Sequence, residues 1–168
     1  MDRFNRRLFR TFGEFTGDLW RILALRKAIK PLMRGETLDP AFRERLFLAV
    51  TAVNRCRYCS NYHARIAFEK GISKEEIAAL DDKVLDGSPE EQLPALLYAQ
   101  HWAENGGHAS PEMDERLLQI YAVQQVRAIQ LSLLIIRTAN LLGNTWDYVL
   151  YRLSLGRFVS VRPSDSSQ

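Results

Sequence analysis

The chain has 168 residues, of which 46% are hydrophobic and 26% are charged, and its formal net charge is +3. A chain of this length and composition buries enough apolar surface to fold as one soluble domain without disulfides or metal ions. Its basic residues are scattered among acidic ones rather than gathered into a run that would bind nucleic acid. We therefore expect no nucleic-acid partner.

The two cysteines, Cys56 and Cys59, are three positions apart. Secreted domains held by disulfides have four or more cysteines at wider spacing, so this pair is typical of a reducing cytosol. The N-terminus lacks the uninterrupted apolar core of a secretory signal. The longest apolar tract, 128–136, lies between Arg127 and Arg137 and is too short to cross a bilayer. These features predict a cytoplasmic protein with no membrane partner.

Helix signals follow one another along almost the whole chain. A basic amphipathic segment opens it, with apolar residues at helical spacing: Phe4, Leu8, Phe12, Phe15 and Leu19. Four later helix starts are marked by a capping side chain followed by proline or by a glutamate three residues on: Asp39, Ser73, Ser88 and Ser110. A long apolar helix is predicted over 117–142, and Gly143-Asn144 is expected to end it before another helix from about Trp146.

These signals predict an all-α fold of roughly six to eight helices in a single-domain bundle. We divide the chain into an N-terminal amphipathic helical segment (1–35), a helical domain (36–158) and a disordered tail (159–168). The apolar lengths of the first segment and of helix 117–142 also predict a homo-oligomer, because one small helical unit would otherwise expose a large apolar patch.

The residues that can carry chemistry cluster between Val53 and Ser73. Positions three and four apart share one face of a helix, so Cys56, Cys59 and His63 form a row in which the imidazole follows Cys59. A C-x-x-C near a helix start and beside an imidazole favours a thiolate at neutral pH. The spacing also allows the two thiols to close a disulfide.

A carboxylate is expected beside this imidazole. If the apolar helix ends near Asn54-Arg55 and the cysteine helix runs back antiparallel to it, position 44 falls opposite positions 64–65. Glu44 also lies at the edge of an apolar helix, where burial without a partner is costly. The sequence therefore predicts a contact between Glu44 and His63, with a surface salt bridge to neighbouring arginines as the alternative for Glu44.

Four motifs follow one another along this part of the chain: Glu44, Cys56-Arg57-Tyr58-Cys59, His63-Ala64, and the stretch KGISKEEI at 70–77. This order resembles the alkylhydroperoxidase D-like, peroxidase-related branch of the carboxymuconolactone decarboxylase superfamily, over roughly residues 40–80. The resemblance implies an all-α fold assembled into homo-trimers or hexamers. It also implies a thiol-dependent peroxidase or disulfide reductase activity.

Carried onto this chain, the resemblance makes Glu44, Cys56, Cys59 and His63 the catalytic residues. Glu44 orients His63, the imidazole takes the proton of Cys59, Cys59 attacks the peroxide, and Cys56 completes the disulfide. The implied partners are a peroxide substrate and an external dithiol reductant of the lipoyl or thioredoxin type. The sequence has no nucleotide or flavin signature, so no cofactor is expected.

One residue departs from the alkylhydroperoxidase pattern, because Tyr58 stands inside the C-x-x-C where that enzyme has a histidine. Tyrosine donates a hydrogen bond but does not titrate near neutrality, so the resemblance does not specify the exact relay or the physiological reductant. The decarboxylase branch lacks the cysteine pair, which argues against lactone decarboxylation.

Two other interpretations stay open at the level of sequence. Zinc is one, since Cys56, Cys59 and His63 are three potential ligands and His101 or His108 a fourth, although a second ligand pair at short spacing is missing. A helical oligomer that uses the cysteines as a redox sensor, without turnover, is the other.

Overall fold

The structure of the protein, a computed structural model, describes residues 4–154. The disordered tail predicted at 159–168 lies outside the described residues. Within the described part the chain forms helices and no strands, which confirms the predicted all-α fold class. Eight α-helices follow in order: α1 (Phe12–Ala24), α2 (Arg26–Met33), α3 (Pro40–Asn54), α4 (Arg57–Glu69), α5 (Lys74–Asp81), α6 (Leu93–Glu104), α7 (Pro111–Ile120) and α8 (Val123–Leu153).

Helix α3 is the centre of the fold. Asp39 caps it by accepting the Phe42 amide at 2.9 Å, and Pro40 occupies the first helical position, where no amide hydrogen is needed. Nearly every later residue of α3 is buried, and the helix packs against α4, α5, α6 and α8. Its polar side chains therefore need partners inside the protein, and this requirement shapes the site described below.

Three of the four predicted caps are confirmed. Besides Asp39, Ser73 accepts the Glu76 amide at 3.1 Å, and Ser110 accepts the Met113 amide at 3.4 Å.

The prediction for Ser88 is wrong. Its hydroxyl donates to the Glu76 carboxylate at 3.0 Å, and the chain forms a short 3-10 helix, Glu90–Gln92, before α6 begins. Glu76 is buried and held by Arg45, with 2.6 Å between Nε and Oε1. Ser88 therefore serves as a hydrogen-bond donor to the buried Glu76 carboxylate and does not cap a helix.

The prediction for the last apolar segment is also wrong in two places. The segment 117–142 is divided, since α7 ends at Ile120 and α8 begins at Val123. Helix α8 then runs unbroken through Gly143-Asn144 to Leu153. Gly143 lies beside the cysteines, since a Cβ at this position would be 3.4 Å from the Cys56 sulfur, at the lower limit of ordinary van der Waals contact.

Helix α8 is, among the residues 4–154, the one helix with the length and composition to cross a membrane. The apolar tract 128–136 is part of this helix of 31 residues. Of its most apolar stretch of 18 residues, 67% is buried inside the fold, as is typical of a core helix of a soluble protein.

The first helix begins later than the apolar spacing predicts. Thr11 caps α1 by accepting the Glu14 amide at 3.1 Å, so Phe4 and Leu8 precede the helix. Residues 4–11 form an N-terminal arm that lies along α8. The ring of Phe4 packs edge-on against Tyr148, with 5.3 Å between ring centroids.

Candidate active site

The turn between α3 and α4 places both cysteines. Arg55 takes the left-handed conformation that ends α3, with φ of 58°, and Asn54 is the last, buried residue of α3. Cys56 is the N-cap of α4, and its sulfur accepts the Cys59 amide at 3.4 Å. The C-x-x-C thus occupies the first turn of α4, as predicted.

The two sulfur atoms are adjacent and unequal. They are 2.6 Å apart, and both cysteines are free thiols. The Cys56 thiol donates to Cys59, and this hydrogen bond is the main reason that the pKa of Cys59 falls to about 7, against the opposing effect of burial. The same bond, together with burial, raises the pKa of Cys56. Cys59 is therefore the sulfur that ionises first, and it is also the more accessible of the two.

Glu44 and His63 meet in the interior, at the contact that the sequence predicted. Glu44 Oε2 lies 2.8 Å from His63 Nδ1, and Glu44 is only 2% exposed. An ionised carboxylate accepts and does not donate, so Nδ1 carries the hydrogen and Nε2 is the nitrogen left to exchange a proton. The imidazole is held edge-on by Phe47 and Tyr62, at centroid distances of 4.8 and 5.1 Å.

Arg43 binds the other oxygen of the same carboxylate. Its Nη2 lies 3.1 Å from Glu44 Oε1, and its Nη1 donates to the carbonyls of Leu32 and Met33 at 2.9 and 3.0 Å. The salt bridge with a neighbouring arginine that the sequence offered as the alternative for Glu44 does form, with Arg43, but it is buried rather than on the surface and exists together with the His63 contact. The carboxylate joins a buried guanidinium to the imidazole and ties both to the end of α2.

His63 acts on Cys59 through charge. It lies one helical turn after the cysteine, and its positive charge is one of the causes that lower the Cys59 pKa. In the described part of the chain, however, no hydrogen bond joins the imidazole to the sulfur. The row predicted on α4 exists, but its two members are not in direct hydrogen-bond contact.

Helix α8 supplies a polar contact that sequence reasoning missed. Asn140 is fully buried, and its Nδ2 donates to Thr51 Oγ1 at 3.1 Å while its Oδ1 accepts from Asn54 Nδ2 at 3.2 Å. Asn140 also contributes to lowering the pKa of Cys59, after the larger effect of Cys56. The available signal in the sequence was an amide between two apolar residues, Ala139 and Leu141, in a long helix, because a buried amide needs hydrogen-bond partners.

Tyr58, the departure inside the C-x-x-C, faces outward. Its side chain is 51% exposed, its hydroxyl accepts from Arg57 Nη2 at 2.7 Å, and the Arg57 guanidinium lies 4.7 Å from its ring centroid. Within residues 4–154, Tyr58 makes no hydrogen bond to Glu44 or His63. The tyrosine therefore does not replace the missing histidine in a proton relay.

The remaining histidines do not complete a metal site. His101 lies in α6 beside Asn105, and His108 lies between α6 and α7. Over the described residues, no group of three or more His, Cys, Asp or Glu side chains is arranged to hold a metal ion. The zinc interpretation consequently has no geometric support.

Comparison with known proteins adds the family. No curated protein and no solved structure matches the chain. The profile described as Carboxymuconolactone decarboxylase family matches residues 19–104, a segment that contains Glu44, both cysteines and His63. This segment is just over half of the chain, and the family includes alkylhydroperoxidase D-like proteins and consists of enzymes. The chain therefore belongs to the carboxymuconolactone decarboxylase family.

Proposed function

We propose that this protein is a thiol-dependent peroxidase that reduces organic peroxides or hydrogen peroxide through a dithiol–disulfide cycle of Cys56 and Cys59. The observation that carries the proposal is the pair of adjacent sulfurs, 2.6 Å apart, of which Cys59 has its pKa lowered to about 7. The family contains both decarboxylases and peroxidases, and a reactive cysteine pair favours the second activity.

The first step uses Cys59 as the nucleophile. Its proton passes to His63, and the thiolate attacks one peroxide oxygen, so that a sulfur–oxygen bond forms as the oxygen–oxygen bond breaks. The products are a sulfenic acid on Cys59 and an alkoxide, which takes the proton back from His63 Nε2. Glu44, bonded to Nδ1 at 2.8 Å, keeps the ring oriented and stabilises the imidazolium while it is charged.

The second step uses Cys56, which stays a thiol because its pKa is raised. Its sulfur attacks the sulfenic sulfur, the disulfide forms, and the hydroxyl group leaves with the Cys56 proton as water. A disulfide bond is about 2.05 Å long, so the sulfurs need only a small approach from their separation of 2.6 Å. An external dithiol then supplies two electrons and two protons, and itself becomes a disulfide.

The proposed reductant is a lipoyl- or thioredoxin-type protein, and the proposed location is the cytoplasm. We also propose that copies of the chain associate as a homo-trimer or hexamer. Helix α8 supports this with a stripe of exposed apolar residues at helical spacing, hereafter the α8 stripe: Leu142, Trp146, Val149 and Leu153.

Peroxide consumption by the purified protein, with dihydrolipoamide as reductant, tests the proposal. Wild type should turn over, Cys59→Ser should not, and Cys56→Ser should stop after one equivalent with a sulfenic acid that dimedone traps. Mass spectrometry of wild type after peroxide should find two hydrogen atoms lost from the peptide with both cysteines. Intact thiols after peroxide refute the proposal, whereas a disulfide that forms without recycling indicates a redox sensor.

A further inference from the structure

The outward side of α4 exposes three aromatic side chains beside the reactive cysteines. Tyr58, Tyr62 and Phe68 are 51%, 55% and 54% exposed. Positions 58, 62, 65 and 68 are three or four residues apart, so their side chains follow one another along one side of the helix. Single exposed apolar residues are ordinary in soluble proteins, whereas a row of three rings marks an interaction surface.

A basic side chain lies over each of these three rings. The distance from the cationic group to the ring centroid is 4.7 Å for Arg57 over Tyr58, 5.9 Å for Arg65 over Tyr62 and 5.4 Å for Lys74 over Phe68. We call these six side chains the α4 face. A cation–π pair at an exposed site is weak, so a cation there can also bind an acceptor on another molecule.

The net positive charge of the chain resides in the same region, on α4 and the turns beside it. Residues 55–74 include five basic residues and one acidic residue, Glu69, which gives this segment a net charge of +4. The whole chain carries +3, so the charges of the remaining residues nearly balance. Arg65 and Glu69 are 4.0 Å apart and 69% and 62% exposed, so solvent weakens their attraction. A partner with carboxylates opposite α4 would therefore be attracted to this segment.

We propose that the α4 face is the docking surface for the protein that reduces the Cys56–Cys59 disulfide, and that this protein presents an acidic surface around its dithiol. The inference rests on the function proposed above. Aromatic rings and arginine are the side chains that contribute most to protein interfaces, and the cations select an acidic partner. A second copy of the chain is a poorer occupant, because a two-fold contact through this face would bring like charges together.

Docking on the α4 face places the incoming dithiol at Cys59, which lies between Tyr58 and Tyr62 in sequence and is the more accessible cysteine. A partner thiolate attacks the Cys59 sulfur, so that a mixed disulfide forms as the bond to Cys56 breaks, and the Cys56 thiolate takes a proton. The second partner thiol then attacks its neighbour in the mixed disulfide and releases Cys59. The partner loses two electrons and two protons, and the protein gains them.

Two synthetic peptides of equal length test the docking surface. Each carries a dihydrolipoyl group on a central lysine, which is flanked by glutamates in one peptide and by lysines in the other. The protein disulfide is first formed with diamide, and its reduction is followed by alkylation of the released thiols and mass spectrometry. At low salt the acidic peptide should reduce the disulfide about tenfold or more faster than the basic peptide, and about 1 M salt should remove most of this difference.

The matched variants are Arg65→Glu and Arg116→Glu. Both change the net charge equally, and Arg116 is an exposed arginine of α7, outside the α4 face. Arg65→Glu should lower the ratio of the two peptide rates roughly tenfold, whereas Arg116→Glu should keep a ratio close to that of the wild type.

Equal rates for the two peptides in the wild type, or a ratio that falls equally in both variants, overturns the inference. A mass in light scattering that falls in Arg65→Glu but not in Arg116→Glu overturns it as well, because a second copy of the chain then covers the α4 face.

The peptide experiment uses no peroxide. A wild type that diamide oxidises but that does not turn over peroxide refutes the proposed function, whereas the ratio of the peptide rates decides whether an acidic partner docks on α4. A cysteine pair that diamide does not oxidise offers no disulfide to reduce and overturns both.

Discussion

Replacing Cys56 by alanine should raise the pKa of Cys59, because the Cys56 thiol is the main cause of the lowered value of about 7. A hydrogen bond to a charged acceptor contributes about 1.5 to 3 kcal/mol, and Cys59 is half-buried, so the lower end of this range applies. About 1.5 kcal/mol corresponds to about one pKa unit. The thiolate fraction at pH 7 should fall from about one half to about one tenth, roughly fivefold.

The assay is alkylation of Cys59 by iodoacetamide across the pH range, with Cys56→Ser as the matched control. Serine keeps a hydroxyl donor in the place of the thiol, so its midpoint should stay below that of the alanine variant. Folding is monitored by circular dichroism in both variants. If Cys56→Ala titrates at the wild-type midpoint, the hydrogen bond between the cysteines does not set the reactivity of Cys59, and the assignment of the nucleophile loses its physical basis.

Three further predictions follow from the same contacts. Glu44→Gln keeps the shape of the side chain but removes the charge that stabilises the imidazolium and pairs with Arg43. Turnover should therefore fall by about tenfold or more, and the urea midpoint of unfolding should drop. Unchanged turnover would exclude Glu44 from the relay. The folded state holds the pKa of Cys59 below its unfolded value of about 8.5, so the Cys59 thiolate should stabilise the fold fully above about pH 8.5 and lose this contribution as the pH falls toward 7. The difference in urea midpoint between wild type and Cys59→Ser measures this contribution. A difference that grows as the pH falls contradicts the prediction. Trp146→Glu places a charge in the α8 stripe and should dissociate the proposed oligomer, as measured by light scattering. The control Arg152→Glu, at an exposed position, should not dissociate it. An unchanged mass for Trp146→Glu would mean that the stripe is not the interface.

The pairing of Glu44 with His63 was predictable from the sequence because it depends on local information. A turn near Arg55 and two antiparallel helices are enough to count positions from one side chain to the other. The same holds for the cysteines at the start of α4, since a helix cap and the spacing of three residues specify their placement. The caps at Asp39, Ser73 and Ser110 are local signals of the same kind.

The contribution of α8 was not predictable in this way. Asn54 and Asn140, whose amides bond each other, are 86 residues apart in sequence, and no local pattern relates them. Gly143-Asn144 carries the signal of a helix end, but both residues lie inside α8, where the Asn144 amide donates to the carbonyls of Arg7 and Asn54. The division of the chain at residues 35 and 36 stays a prediction.

The N-terminal arm has a practical consequence for anyone who handles this protein. Arg6 of the arm and Arg57 of the cysteine helix both pair with Asp147 of α8, and Asn144 joins the carbonyls of Arg7 and Asn54. Arg6 and Arg7 are thus held beside the turn that carries the reactive thiols. An affinity tag or a protease cut that detaches the arm would therefore change the reactivity of Cys56 and Cys59, although the arm is about 50 residues away from them in sequence. Protein without a tag is the proper reference for every titration.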